Sequence, residues 1–183
     1  MYAGKEAGLL IFSLIAAAVL VGIDQLIKVW AVNVLQEKGS IPFLHIGDFE
    51  ILDLTYLENS GAVFGSFAGM RWLLVGITSV MLIACLWGLI RYHKRSKIMD
   101  ISLTLILAGG IGNLIDRLFR NGLVVDYFEV KFFDFAIFNF ADCCVVIGIA
   151  LFIFYVLFVD PKISAKEKAA KEAAVQEVTD ENV

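Results

Sequence analysis

Four stretches of this chain, residues 7–23, 72–90, 101–115 and 143–159, contain no Asp, Glu, Lys or Arg. Each approaches the length needed to cross a bilayer once it extends a little past its bounding charges. In hydrocarbon every backbone N–H and C=O must find its partner within the segment, which leaves the helix as the structure for such runs. The composition agrees: 60% of the 183 residues are hydrophobic and only 19% are charged, against about a quarter charged in a soluble domain. The length allows one compact bundle. The net charge of −4 includes no basic surface of the kind nucleic acid requires. Cys85, Cys143 and Cys144 all lie in apolar runs, as small buried hydrophobes rather than a disulfide framework.

The expected fold is therefore all-α and integral to the membrane, a four-transmembrane-helix bundle. Residues 1–160 form one membrane-embedded domain, with spans at about 7–30, 70–90, 99–119 and 141–159. The first run lacks a small-residue cleavage site and continues into Asp24-Gln25-Leu26-Ile27-Lys28, so it is read as a retained helix and not a leader. Asp24 and Lys28 are four apart and share a helical face, where they can pair. Lys28 is also placed to snorkel toward the nearer interface.

Residues 35–70 are too long and too patterned for a plain loop. Ile46, Phe49, Ile51, Leu54 and Tyr56 fall near a period of two, with a slip at Ile51-Leu52 that signals a bulge. Glu58-Asn59-Ser60-Gly61-Ala62 reads as a turn. The expectation is a small β-rich element at about 40–67 lying on the membrane surface, with Phe43, Phe49, Tyr56, Phe64 and Phe67 available to the interface. Arg91, Lys94, Arg95 and Lys97 occupy one short loop, which marks the cytoplasmic side. Four spans then put both termini in the cytoplasm, in keeping with Lys5 and the lysines of the tail. Residues 161–183 form a charged cytoplasmic tail, solvated and partly helical or disordered.

The polar residues concentrate in 109–142. Gly109, Gly110 and Gly112 permit close helix approach. Asn113, Asp116 and Arg117 sit at i, i+3 and i+4 on one face, with Asp116 paired to Arg117 or Asn113 in a structural role. Residues 123–138 alternate and suggest a short hairpin or extended flap. An ionisable residue at membrane depth is costly and is a functional hypothesis by default. His45 and His93 lie on opposite sides of the membrane, so a histidine metal site or a Ser-His-Asp triad is implausible. Carboxylates remain, and no cofactor or metal is expected.

Asp126 and Asp142 both fall at the outer face. Two carboxylates sharing a site hold one proton between them, so one can accept a proton from water while the other polarises a carbonyl. Against this, Asn139 and Asp142 have the spacing of an N-cap and its N3 residue, and Asp126 can be a turn residue. Spacing alone favours those structural readings.

The motifs Asp24-Gln25-x-x-Lys28, Glu58-Asn59-Ser60-Gly61-Ala62-x-Phe64-Gly65, Gly109-Gly110-x-Gly112-Asn113-Leu114-Ile115-Asp116-Arg117, Val124-Val125-Asp126-Tyr127 and Phe138-Asn139-Phe140-Ala141-Asp142 resemble those of the lipoprotein signal peptidases, the type II signal peptidases of bacteria. They fall in the family's order across roughly residues 9–159. The resemblance implies an aspartyl endopeptidase of the bacterial cytoplasmic membrane that acts on diacylglyceryl-modified prolipoproteins and cuts before the lipidated cysteine. It carries the catalytic dyad to Asp126 and Asp142. Its substrate-binding or supporting roles fall on Asp24, Lys28, Asn59, Asn113, Arg117 and Asn139, and its extracytoplasmic β-cradle falls on 40–67. Expected partners are the prolipoprotein signal peptides and membrane lipids, with the enzyme a monomer. Phe140 stands where the family usually has an aliphatic residue, and Cys143-Cys144 where small residues are common. Two other readings compete: a small transporter or channel subunit with Asp24, Lys28 and Asp116 along a polar path, and a non-catalytic assembly factor whose aspartates cap helices.

Overall fold

The computed structural model describes residues 2–61, 66–93 and 95–180, excluding the side chains of 2–7 and 174–180. Ala62 and Phe64 of the expected turn and aromatic set, Lys94 of the basic loop, and the side chain of Lys5 lie outside what is described.

The helices are α1 (Tyr2–Lys38), α2 (Arg71–Tyr92), α3 (Lys97–Phe119), α4 (Phe140–Phe154) and α5 (Asp160–Asp180). A π-helical turn, Tyr155–Val159, joins the last two. Among the described residues, four helical stretches are long and apolar enough to span a membrane, and the fourth runs through Phe140–Ala173. The tail is thus helical through residue 180 and continues directly from the last span.

The centre of the bundle is α3, against which α1, α2 and α4 each pack. Most of α3 is buried, while the other three turn most of their surface outward. Ser96 starts α3 as N-cap, its Oγ accepting from the N–H of Ile98 at 3.3 Å. Glycine makes the α3–α4 approach possible: a Cβ on Gly109 would collide with the backbone carbonyl of Ala141, and one on Gly112 would come within 2.5 Å of Asp24 Oδ2. Leu89, Met99, Leu103, Leu107 and Tyr155 form one apolar core within the bundle.

Three strands form an antiparallel sheet in the order β1-β2-β3, from β1 (Ser40–Ile46), β2 (Phe49–Asn59) and β3 (Val124–Val130). The β1–β2 register steps from Leu44↔Leu52 to His45↔Glu50, so Ile51 is the extra residue of a bulge at the expected slip. The 123–138 segment corrects the hairpin expectation. Its strand pairs with β2, and its own return makes only an isolated bridge, Phe128↔Phe138. Val125 and Tyr127 pack on Ala31 and Leu35 of α1, which seats the sheet on one end of the bundle. Burying that face outweighs what a free hairpin could bury.

Candidate active site

The site forms where the end of β2, the start of β3, the end of α3 and the start of α4 meet. Asp126 stands opposite Leu57 on β2. Two residues further along β2, on the same face of the pleat, Asn59 donates from Nδ2 to Asp126 Oδ2 at 2.9 Å.

Asp142 is placed by the first turn of α4, whose backbone donors would otherwise lack partners. Asn139 is the N-cap, and its Oδ1 accepts from the Asp142 N–H at 3.0 Å. Asp142 Oδ2 reciprocates by accepting from the Asn139 N–H at 3.0 Å. The Phe140 N–H donates to the Tyr127 hydroxyl at 3.1 Å, and the Ala141 N–H to Asp24 Oδ1 at 3.2 Å. The first turn of α4 is therefore tied to β3 and α1. The capping-box reading of Asn139 and Asp142 holds, and it coexists with a placement at the site.

Three carboxamides are oriented by one rule. Each has its oxygen committed elsewhere, so its NH2 must face a carboxylate. Asn59 Oδ1 accepts from the Gly61 N–H at 2.9 Å, which leaves Nδ2 for Asp126. Asn139 Oδ1 is the cap acceptor, and Nδ2 donates to Asp126 Oδ1 at 2.6 Å. Asn113 Oδ1 accepts from Lys28 Nζ at 2.8 Å and from Asn139 Nδ2 at 3.1 Å, so its Nδ2 donates to Asp142 Oδ1 at 2.7 Å. Asn139 thus touches both aspartates, and Asn113 links Asp142 to a buried cation.

That cation corrects the snorkelling expectation, because Lys28 is 0% exposed. Its three donors are used on Asn113, on Asp24 Oδ2 at 3.0 Å and on Asp116 Oδ2 at 3.1 Å. A buried ammonium is tolerable only with such partners. The expected partners of Asp116 are also corrected. It pairs with Lys28 and, at 3.2 Å, with Arg120 Nε one helical turn on, and it accepts from the Val125 N–H at 3.1 Å. Asp116 still has a structural role, since it fixes the start of β3. Arg117 instead donates to the Gly61 carbonyl at 2.9 Å. Asp24, Lys28 and Asp116 are sealed and mutually paired, so they line no polar path, which removes the basis of the transporter reading.

Sequence reasoning missed Gln25, which donates to Asp24, the Gly112 carbonyl and Asp116 at 3.1, 3.1 and 3.4 Å. Its place between Asp24 and Lys28 was the available signal. The Tyr127 hydroxyl was also missed.

Asp126 and Asp142 line one cavity of about 550 Å3, together with Asn59, Asn113, Arg117 and an apolar wall that includes Ile137 and Val146. Burial, chiefly, pushes the Asp126 carboxyl up to about 7, with the Asp142 charge adding and the Asn59 and Asn139 amides opposing. A carboxyl that keeps its proton can donate it, and a neighbouring ionised carboxylate can accept one.

Residues 16–158 match the family described as Signal peptidase (SPase) II. The lipoprotein signal peptidase of Clostridium acetobutylicum is 36% identical over 156 residues, covering 84% of this chain and 98% of its own. That of Clostridioides difficile is 38% identical over 147 residues, 78% of this chain and 93% of its own. A bacterial membrane enzyme solved by the in meso method at 2.3 Å resolution superposes with a TM-score of 0.70 at 32% identity, over 80% of this chain and 87% of that one. A second, at 1.9 Å, gives 0.69 at 31% identity over 81% and 94%.

Proposed function

The chain belongs to the signal peptidase II family, a multi-pass bacterial membrane protease that removes signal peptides from lipoproteins, and on that premise we propose that Asp126 and Asp142 are its aspartic catalytic dyad. The observation that carries this reading is the set of three oriented asparagines, which aims two carboxylates into one cavity.

Asp126 holds the shared proton at rest and hydrogen-bonds the scissile carbonyl oxygen. Ionised Asp142 takes a proton from a water that attacks the carbonyl carbon. The tetrahedral intermediate forms as the Asp126 proton moves to its oxygen. It collapses when the proton taken up by Asp142 passes to the amide nitrogen, the C–N bond breaks, and a hydroxyl proton of the diol returns to Asp126, which restores the starting pair; the acid so formed ionises in water. The signal peptide leaves with a new carboxylate, and the mature chain keeps a free amino group on its lipidated cysteine. Asn59, Asn113 and Asn139 hold the pair in register, and Asp24 and Lys28 support them. Arg117 ties α3 to the substrate-facing segment at Gly61.

The substrate is a diacylglyceryl-modified prolipoprotein cut before its lipidated cysteine, and lipid bathes the apolar wall. The enzyme works as a monomer, with residues 1–160 as its membrane domain and 161–183 as its cytoplasmic tail. The basic 91–97 loop puts that end in the cytoplasm. Both termini are then cytoplasmic, and the dyad lies at the outer boundary where a lipid-anchored peptide bond meets water.

The test is Asp126→Asn and Asp142→Asn, each made singly and assayed in membranes for conversion of diacylated prolipoprotein. Both are expected to accumulate normally and to convert none. Retained cleavage by either would remove that residue from the dyad.

A further inference from the structure

Tyr127 follows Asp126 directly on β3 and is 1% exposed. Its ring packs on Ala31 and Leu35 of α1 and stands 4.7 Å from the Phe128 ring, centroid to centroid. The proton transfers of the dyad make no use of it.

Tyr127 grips the chain on both sides of Asn139. Its backbone N–H donates to the Phe138 carbonyl at 3.0 Å, and its hydroxyl accepts from the Phe140 N–H at 3.1 Å. Phe128 reinforces the Phe138 end: its N–H donates to the same carbonyl at 2.8 Å, and its own carbonyl accepts from the Phe138 N–H at 3.1 Å. The Phe140 end is held by the hydroxyl. Asn139, between the two, donates to Asp126 and caps the turn that carries Asp142. A residue bonded covalently to one aspartate therefore brackets the residue that touches both.

The capping box cannot by itself set the distance between the carboxylates. Asn139 and Asp142 belong to one turn and move together, so their mutual bonds place Asp142 within α4 only. The distance to β3 is set by bonds that cross from strand to helix, and the Tyr127 ring is a stiff one, with two side-chain torsions and packed faces. The neighbouring donors of the turn are committed elsewhere, the Ala141 N–H to Asp24 and the Asp142 N–H to Asn139. Burial pushes the Tyr127 phenol up from its ordinary range, so it stays neutral and meets the Phe140 N–H with an oxygen lone pair.

We propose that Tyr127 is a positioning residue for proteolysis, whose hydroxyl holds the first turn of α4 against β3 and so sets the separation of Asp126 and Asp142. The proposal rests on the dyad assignment above. Without the hydroxyl the Phe140 N–H is left buried and unpaired, which is costly. The turn then shifts to find another acceptor, and Asp142 draws away from Asp126.

The test is Tyr127→Phe in the full-length enzyme, in lipid nanodiscs, with diacylated prolipoprotein as substrate. The ring and its packing are kept and one oxygen is removed. The kcat should fall roughly tenfold with KM little changed, because a displaced reacting group costs rate and not binding. The pH profile is the second readout. Asp126 is faced by Asp142 from α4, Lys28 from α1 and Arg117 from α3, and the Asp142 charge helps to hold the Asp126 carboxyl up. A larger separation weakens that influence, so the loss of activity toward high pH should move to lower pH. A second variant, with 3-fluorotyrosine at 127, keeps the hydroxyl but makes it a weaker acceptor. It should show both changes at smaller size, and it decides the matter if Tyr127→Phe does not accumulate. Val32→Ala serves as the control for stability alone. Val32 packs on the same apolar cluster as Tyr127, so its truncation should lower the melting temperature and leave kcat and the pH profile as in wild type.

Wild-type kcat and pH profile in the Tyr127 variants overturn the proposal. So does a Val32→Ala enzyme that reproduces both changes, since Tyr127 would then act through stability alone. A rise in KM at unchanged kcat overturns it too, by placing the hydroxyl in substrate binding. None of these results touches the dyad, which fails separately, on retained cleavage by Asp126→Asn or Asp142→Asn.

Discussion

Substituting Asn139 separates what this residue does for the fold from what it does for the site. As the α4 N-cap it accepts from the Asp142 N–H, and through Nδ2 it donates to Asp126 at 2.6 Å. In Asn139→Ser the hydroxyl can still cap, so the cap's own contribution should change by no more than about 1 kcal/mol. Serine is too short to reach Asp126, so the second bond is lost. A hydrogen bond to a charged group contributes about 1.5–3 kcal/mol. If that bond is needed to hold the dyad in the transition state, kcat/KM falls by roughly ten- to a hundredfold. The Asn139 bond also opposes the rise of the Asp126 pKa, which stands at about 7. Without it the carboxyl keeps its proton to higher pH. In the proposed mechanism the protonated form is the active one, so wild-type activity should decline as pH rises through about 7, and in Asn139→Ser that decline should move to higher pH. In Asn139→Ala the cap is lost too, which adds about 1 kcal/mol of destabilisation. The assays are thermal unfolding in detergent and kcat/KM against pH with a fluorogenic lipopeptide. Wild-type kcat/KM and an unmoved pH profile in Asn139→Ser would refute the reasoning and leave Asn139 as a cap alone.

Three further outcomes follow from the same geometry. Lys28→Met leaves Asp24 and Asp116 without their shared cation and frees the Asn113 oxygen. It should cost about 3–5 kcal/mol, seen as a large drop in melting temperature, and near-normal melting would contradict the ion network. Gly109→Ala drives a methyl group into the Ala141 carbonyl and should cost about 1–3 kcal/mol with loss of activity; normal activity would mean that α3 and α4 tolerate separation. Excess chelator should leave prolipoprotein cleavage unchanged, since acid–base chemistry by two aspartates requires no metal, and inhibition reversed by added divalent cation would overturn that mechanism.

The sequence by itself determined the spans, because a bilayer demands uncharged helical runs of fixed length and each run is visible as such. It also determined the local features that depend on near neighbours: the Asp24–Lys28 pair, the bulge at Ile51 and the capping box at Asn139 and Asp142. For the candidate dyad, spacing pointed to capping and turn roles, and motif resemblance pointed to catalysis. Both hold for Asp142 in the proposed reading, because a helix N-terminus is a good place to fix a carboxylate. Only the tertiary structure decided what depends on distant segments meeting. Lys28 looked free to reach an interface, yet it is enclosed by Asn113 and Asp116, more than 80 residues away along the chain. Asp116 took Lys28 and Arg120 in place of the neighbours its register suggested. The third strand left its own return and joined β2, which brought Asn59 to Asp126. These choices follow from burying polar groups where no water can serve them: each must find whatever donor or acceptor the packed fold supplies, and spacing along the chain does not encode that partner.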